Sequence, residues 1–258
     1  MDTKTTTKSN YVYHYTSFKN FLKIWSNKKL KFAESSGLND INEVSKFYFG
    51  QHNPHGFTNT KALEKEVALY KQISLVRETV DLYNHNNKTL ACMSPTMWGH
   101  YGDKGKGVCI RLNLSDINFS NKIFRGMIFY ERKMPQVEFD NPDIASFIKK
   151  YKKILFFTKT KDWSYENEYR IVSKEEDFLD ISNAISEIII TTNFGTNKNN
   201  KYCGGFESAL YRKVLKPIIS DEINVLEFCP NGLNDYFLKD EEGNQIYPYH
   251  GLNVDFSE

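Results

Sequence analysis

Apolar and polar positions along the chain fall into short alternating runs and two longer periodic ones. Tyr11-Val12-Tyr13-His14-Tyr15-Thr16 is built of strand formers, with Val12 and His14 on one face and the tyrosines on the other. Ser17 is a good helix cap, and Phe18, Phe21, Leu22 and Trp25 make the stripe of a short amphipathic helix ending near Asn27. Leu30 to Ala33 gives a second strand. Leu69, Ile73, Val76, Val80 and Tyr83 recur at alternating four and three, which predicts the longest helix over 60–83. Strands are predicted at Thr89 to Ser94, stopped by Pro95, and at Val108 to Leu114, Phe124 to Tyr130, Ala184 to Thr192 and Glu222 to Phe228. Asn141-Pro142-Asp143 reads as a helix start, and Ile144, Phe147, Ile148, Tyr151 and Leu155 mark one helical face. A further helix is predicted from Gly204 to Lys216, stopped by Pro217. The pattern implies a polar, disordered tail over 1–10 and then one α+β domain over 11–258, with mostly antiparallel sheets and flanking helices.

Composition narrows this picture without changing it. The hydrophobic share of 40% and the aromatic share of 15% are those of a folded protein. A formal net charge of +2 makes no global case for nucleic acid, so any such case rests on local patches. The four cysteines include no C-x-x-C pair and read as reduced core thiols, which points to the cytoplasm and away from a structural zinc. The first ten residues lack the apolar stretch of a secretory signal, and no apolar run reaches a membrane span. No membrane partner is expected.

Three stretches carry candidate chemistry. Trp163-Ser164-Tyr165-Glu166-Asn167-Glu168-Tyr169-Arg170 runs into Ile171 and Val172 and reads as a strand, with Glu166, Glu168 and Arg170 on one face. In a cleft, burial and like charge would raise one carboxylate; on a solvated face the three residues would be an ordinary ion pair. Met97 to Gly107 is aromatic and glycine-rich, fit for close approach to a phosphate or for a plain connection, and matches neither a Rossmann fingerprint nor a P-loop. Lys149, Lys150, Lys152 and Lys153 line the far side of the helix predicted to start at Asn141 to Asp143, with Lys159 and Lys161 beyond and Phe156 and Phe157 between. This is either a phosphate-binding surface, with Lys150, Lys153 and Lys159 as contacts to nucleic acid or another acceptor, or a solvated helix face. His52 and His55 read as loop histidines, and the turn-rich segment from Ser35 to Glu43 as a connector or ligand loop. No metal site is expected.

Four pieces stand in a telling order: Tyr13-His14-Tyr15-Thr16-Ser17; Leu38-Asn39-Asp40 with Glu43; Trp98-Gly99-His100-Tyr101 leading to Gly107-Val108-Cys109-Ile110; and Lys159 with Trp163 to Arg170. Over about residues 11 to 230 they resemble a large bacterial family known mainly as a domain of unknown function. Its members share a Tyr-His-Tyr-Thr start and a Trp-x-x-Glu-x-Glu-x-Arg strand. Ile41 stands where that family usually has proline. More loosely, the order is similar to that of ADP-ribosyltransferases, including toxins and phage-defence enzymes. That resemblance implies an ADP-ribosyltransferase-like fold and NAD as substrate. It gives His14 to the adenosine-side ribose, Tyr101 or Trp98 to the nicotinamide, Glu168 to the nicotinamide ribose and Glu166 to the acceptor, a nucleic acid or a protein. Tyr15, Thr16 and Arg170 complete the implied cofactor-binding set. A non-catalytic module for nucleotide or nucleic acid is the alternative. Cleaving the nicotinamide bond develops oxocarbenium character, which a fixed carboxylate stabilises.

Overall fold

Strand β1 (Tyr11–Thr16) anchors the fold, as its alternation predicts. It opens a computed structural model that describes residues 10–34, 56–78, 90–133, 135, 143–196, 204–220, 222–231 and 235–246. The chain forms two compact units. The first takes Met1–Lys28, Val76–Ile117 and Ile181–Glu258; the second takes Lys29–Leu75 and Asn118–Asp180.

In the first unit β1 pairs antiparallel along its whole length with β5 (Val108–Asn113), and β5 pairs antiparallel with β11 (Ile185–Thr191). The next strand, β12 (Asn224–Asn231), runs parallel to β11 and is followed by β13 (Asp235–Lys239) and β14 (Gln245–Ile246), both antiparallel. The other edge of β1 meets Val76 and Arg77, the last two residues of β4 (Lys71–Arg77). β5 and β11 are central, so their side chains are buried on both faces. Helix α1 (Phe18–Asn27) is capped by Ser17, whose hydroxyl accepts the Asn20 N–H at 3.3 Å, and ends on Lys28 in a left-handed conformation. One core cluster gathers Tyr13, Tyr15, Cys92, Trp98, Cys109, Ile189 and Phe228.

In the second unit β4 carries β3 (Ala33–Glu34) on one side and lies next to β9 (Glu168–Ser173), which pairs antiparallel with β6 (Ile123–Met127). Two small sheets join β2 (Lys29–Lys31) to β10 (Phe178–Asp180), antiparallel, and β7 (Phe129–Glu131) to β8 (Thr158–Thr160), parallel. Helix α4 (Ile144–Phe156) turns Phe147, Ile148, Leu155 and Phe156 inward against Leu63, Ile128 and Val172. Asp143 caps it, accepting the Ala145 and Ser146 N–H groups. The architecture is thus mixed α and β with mostly antiparallel pairing.

Several predicted elements change. The helix predicted over 60–83 divides into α2 (Gly56–Ala68) and the strand β4. Ile73 and Val76 satisfy a helical spacing, but Gln72, Ile73, Leu75 and Val76 are buried in a strand covered on both faces. Val80 and Tyr83 lie outside the described residues. The strand predicted at Thr89 to Ser94 is a buried single turn, Ala91–Met93, and Ser94 instead caps α3 (Pro95–His100), accepting the Met97 N–H at 3.3 Å. The helix predicted from Gly204 becomes a 3-10 turn, a π-helical turn over Tyr211–Leu215 and a last turn, Lys216–Ile218, that contains Pro217. The loop with Asn39, Asp40 and Glu43, and His52 and His55, lie outside the described residues. Cys92, Cys109 and Cys229 are buried and free; Cys203 is outside the description.

Candidate functional site

In the second unit the motif from Trp163 to Arg170 is not one strand. Lys161–Glu166 forms a 3-10 helix, Asn167 takes a left-handed conformation (φ 41°), and β9 begins at Glu168. Asparagine tolerates that conformation better than most residues. The turn brings Glu166 and Glu168 together on Lys159, whose ammonium lies 2.8 Å from Glu166 Oε2 and 2.9 Å from Glu168 Oε2. Arg170 donates from Nε to Glu168 Oε1 at 2.7 Å and from Nη2 to Glu168 Oε2 at 3.0 Å. Its Nη1 donates to the carbonyl of Phe156, the last residue of α4, at 2.9 Å. The Glu168 N–H donates to the Tyr130 hydroxyl at 2.8 Å, and Lys159 lies 5.3 Å above the Trp163 ring.

These four charges are almost sealed from water: Lys159 is 6% exposed, Glu166 4%, Glu168 2% and Arg170 1%. Two cations meet two anions, so the cluster is neutral and hydrogen-bonded throughout, the condition for burying charge at tolerable cost. Burial pushes the Glu168 carboxyl up, but Arg170, Lys159 and hydrogen bonds from Arg170 and Ser74 outweigh it and hold the pKa at about 2. Burial raises the Tyr130 phenol, and the two nearby carboxylates add to that. Glu168 is therefore ionised at neutral pH, with both oxygens engaged. Arg170 ties β9 to the end of α4.

In the first unit Tyr15, Trp98 and Phe228 stack into one wall. The Tyr15 and Trp98 rings meet edge to face at 5.0 Å, and Trp98 stacks on Phe228 at 6.4 Å. Tyr15 donates its hydroxyl to the Ala91 carbonyl, and Trp98 its indole N–H to the Cys92 carbonyl at 2.8 Å. Tyr101 packs against the same core from its edge. Gly102 lies on the Trp98 ring, where an added Cβ would sit 2.4 Å from a ring carbon; at Gly107 a Cβ would sit 2.1 Å from the Thr16 carbonyl oxygen. Asp103, Lys104 and Gly105 between them all have positive φ (51°, 56° and 80°). For the two non-glycine residues that costs roughly 1–2 kcal/mol each. The Thr191 hydroxyl, donating to the Gly105 carbonyl at 2.5 Å, and the Lys106 N–H, donating to the Asp103 carbonyl, hold the loop. Beside it opens a cavity of about 260 Å³, lined by Trp98, Gly99, Lys104, Thr191, Asn193 and Phe228 among others.

The sequence-predicted residues thus fall into separate groups. Tyr15 and Trp98 touch, with Tyr101 beside them. His14 is half-buried and, by strand alternation, lies on the opposite face of β1 from Tyr13 and Tyr15. Thr16 is buried at the end of β1. Glu166, Glu168, Arg170 and Lys159 meet in the second unit, which takes Lys159 away from the exposed lysines. Lys150 and Lys153 stay on the exposed side of α4. Sequence reasoning missed Arg111, buried in β5, which bonds Glu187 at 3.2 Å, faces Glu78 at 3.7 Å and covers the Tyr11 ring at 3.6 Å. A lone charge inside each of the apolar runs Val-Cys-Ile-Arg-Leu and Glu-Ile-Ile-Ile was the available signal. Among the described residues no group of three His, Cys, Asp or Glu side chains is arranged to hold a metal ion, and no helix is long and apolar enough to cross a membrane.

Residues 97–171 match a family model. Its description is "Protein of unknown function (DUF2971)". The match supports the resemblance to a domain-of-unknown-function family, over a shorter stretch than the four motifs span. It begins in α3 and ends in β9, so it takes in Trp98, Tyr101, Lys159, Glu166, Glu168 and Arg170 and leaves out β1 with His14. No curated protein and no solved structure matches the chain.

Proposed function

We propose that this chain recognises a nucleotide through a single planar ring held beside Trp98, with NAD the first ligand to test. The observation that carries this reading is the cavity of about 260 Å³ walled by Trp98 and Phe228 and rimmed by Lys104 and Asn193, both exposed. It is slightly smaller than the roughly 300–1,000 Å³ of sites for drug-sized ligands, so it suits one ring of a dinucleotide and leaves the remainder outside. The edges of Trp98 and Phe228, each 3% exposed, with a side-chain amide and an ammonium, supply apolar contact, hydrogen bonding and charge for a ring with a polar substituent. The strained loop from Asp103 to Gly105 supports the reading, because residues fixed at positive φ collect at binding sites.

ADP-ribosyl transfer is the enzymatic form of this proposal. Calorimetry with NAD, with Asn193→Ala and Lys104→Ala as exposed rim variants, tests the binding. Each variant is expected to weaken it about tenfold, the worth of one polar contact of about 1.4 kcal/mol. No heat with millimolar NAD would sink the proposal. Nicotinamide release in the presence of cell extract then separates transfer from plain binding.

A further inference from the structure

We infer that the face formed by α4 and β7 in the second unit binds single-stranded nucleic acid. From Ile144 to Lys161 the chain has six lysines and no acidic residue. Four of them, Lys149, Lys150, Lys152 and Lys153, fall within five positions on the exposed side of α4, opposite its buried Phe147, Ile148 and Leu155. A lysine run alone is an ordinary solvated face. What sets this one apart is that its cations rest on aromatic rings that water can reach. The Lys153 ammonium lies 3.6 Å from the centre of the Phe129 ring, and Phe129 is 44% exposed on β7. Lys152 lies 5.3 Å over Phe124, which is half-buried on β6.

A large exposed aromatic held beside cations is the combination that single strands use: bases stack on the ring while lysines track the phosphates. A base arriving on Phe129 takes the position of the Lys153 ammonium, which is then released toward the adjoining phosphate. Duplex bases are already stacked and cannot use the ring, so the face discriminates by strandedness and not by sequence. Asp143 and Asp162 flank this segment in the chain and Glu131 lies two residues beyond Phe129, and none of the three lies among the four lysines. This inference concerns a different surface from the Trp98 cavity and stands or falls without it.

Fluorescence anisotropy of a labelled twelve-nucleotide oligo(dT) with the full chain tests it. Neutralising four phosphates of a single strand predicts a slope of log K on log salt of about −3, or about fifty-fold weaker binding between 50 and 200 mM salt. The double variant Lys152→Ala/Lys153→Ala should flatten that slope by about 1.4, reflecting two fewer contacts. Phe129→Ala should weaken binding about tenfold and leave the slope unchanged, and Phe129→Tyr should restore it. All three positions are exposed, so each variant should shift thermal melting by no more than about 4 °C and remain folded. Absence of binding at 50 mM salt, full affinity in Phe129→Ala, or equal affinity for a twelve-pair duplex or anionic phospholipid vesicles overturns the inference.

Discussion

Lys159 and Lys153 stand six residues apart, one sealed from water and bonded to two carboxylates, the other exposed on α4 above the Phe129 ring. In sequence they belong to the same basic run. The difference lies in what each backbone is paired to. Lys159 is in β8, in register with Tyr130 of β7, and that pairing carries its side chain inward to Glu166 and Glu168. Lys153 is on the outer side of a helix whose other side is filled by phenylalanine, isoleucine and leucine. A buried charge must find its full set of partners or it destabilises the fold, whereas an exposed one costs little and stays available to a ligand. The comparison assigns the Glu-x-Glu-x-Arg motif first to holding the second unit together, and the lysine face to recognition.

The largest expected break in that contrast comes from Arg170→Ala. It leaves Glu168 with one cation and removes the bond to the Phe156 carbonyl, so urea denaturation should report a loss of about 3–5 kcal/mol. Lys153→Ala should cost no more than about 1 kcal/mol, the worth of its surface contact with Phe129. A loss below about 1 kcal/mol for Arg170→Ala would mean that the cluster is solvated in solution and that the distinction fails.

Acid comes next. Glu168 has a folded pKa of about 2 against an ordinary 4.5. Its contribution, about 3 kcal/mol, is complete above the unfolded pKa and is lost as pH falls from about 4.5 toward 2. The stability advantage of the native protein over Glu168→Gln should therefore shrink by about 2 kcal/mol between pH 6 and pH 3. An advantage that stays constant down to pH 3 would show that Glu168 is not held by Arg170 and Lys159.

How far the sequence disclosed this can be read from the same residues. The start of the chain was legible because Ser17 caps a helix whose stripe follows a strand of alternating tyrosines, all local chemistry. Helix α4 was legible for the same reason, through Asp143 and the inward face at Phe147 and Ile148. The second half of the predicted 60–83 helix was not, because Ile73 and Val76 fit both periods and only the partners of β4 decide between them. In the Glu-x-Glu-x-Arg motif the polar alternation was visible, but it suggested a strand with three charges on one face. The left-handed Asn167 changes that local geometry, and the role of Lys159 depends on a pairing across 29 residues to Tyr130. Trp98 was singled out for its type; that it walls a cavity with Phe228, 130 positions away, is a fact of packing alone.

Coupling within the cluster gives a finer test of the comparison. Lys159→Met strands the Glu166 carboxylate, and Glu166→Gln removes that charge, so the double variant should recover about 1–2 kcal/mol relative to the sum of the singles. Additivity within about 0.5 kcal/mol would place Glu166 outside the network.

The smallest effect is the most diagnostic for the exposed side. Lys153 and Phe129 form a cation–π pair at a surface, worth about 0.5–1 kcal/mol to the free protein. A double-mutant cycle with Lys153→Met and Phe129→Leu keeps the aliphatic stem and the apolar bulk while removing the charge and the ring, so it isolates that pair. A coupling of that size in the free protein, abolished when oligo(dT) is present, is the expected result, because a stacked base takes the ring and a phosphate takes the ammonium. Coupling that persists unchanged in saturating oligonucleotide would mean the lysine never leaves Phe129. The ring would then be a rest for Lys153 and no platform for a base.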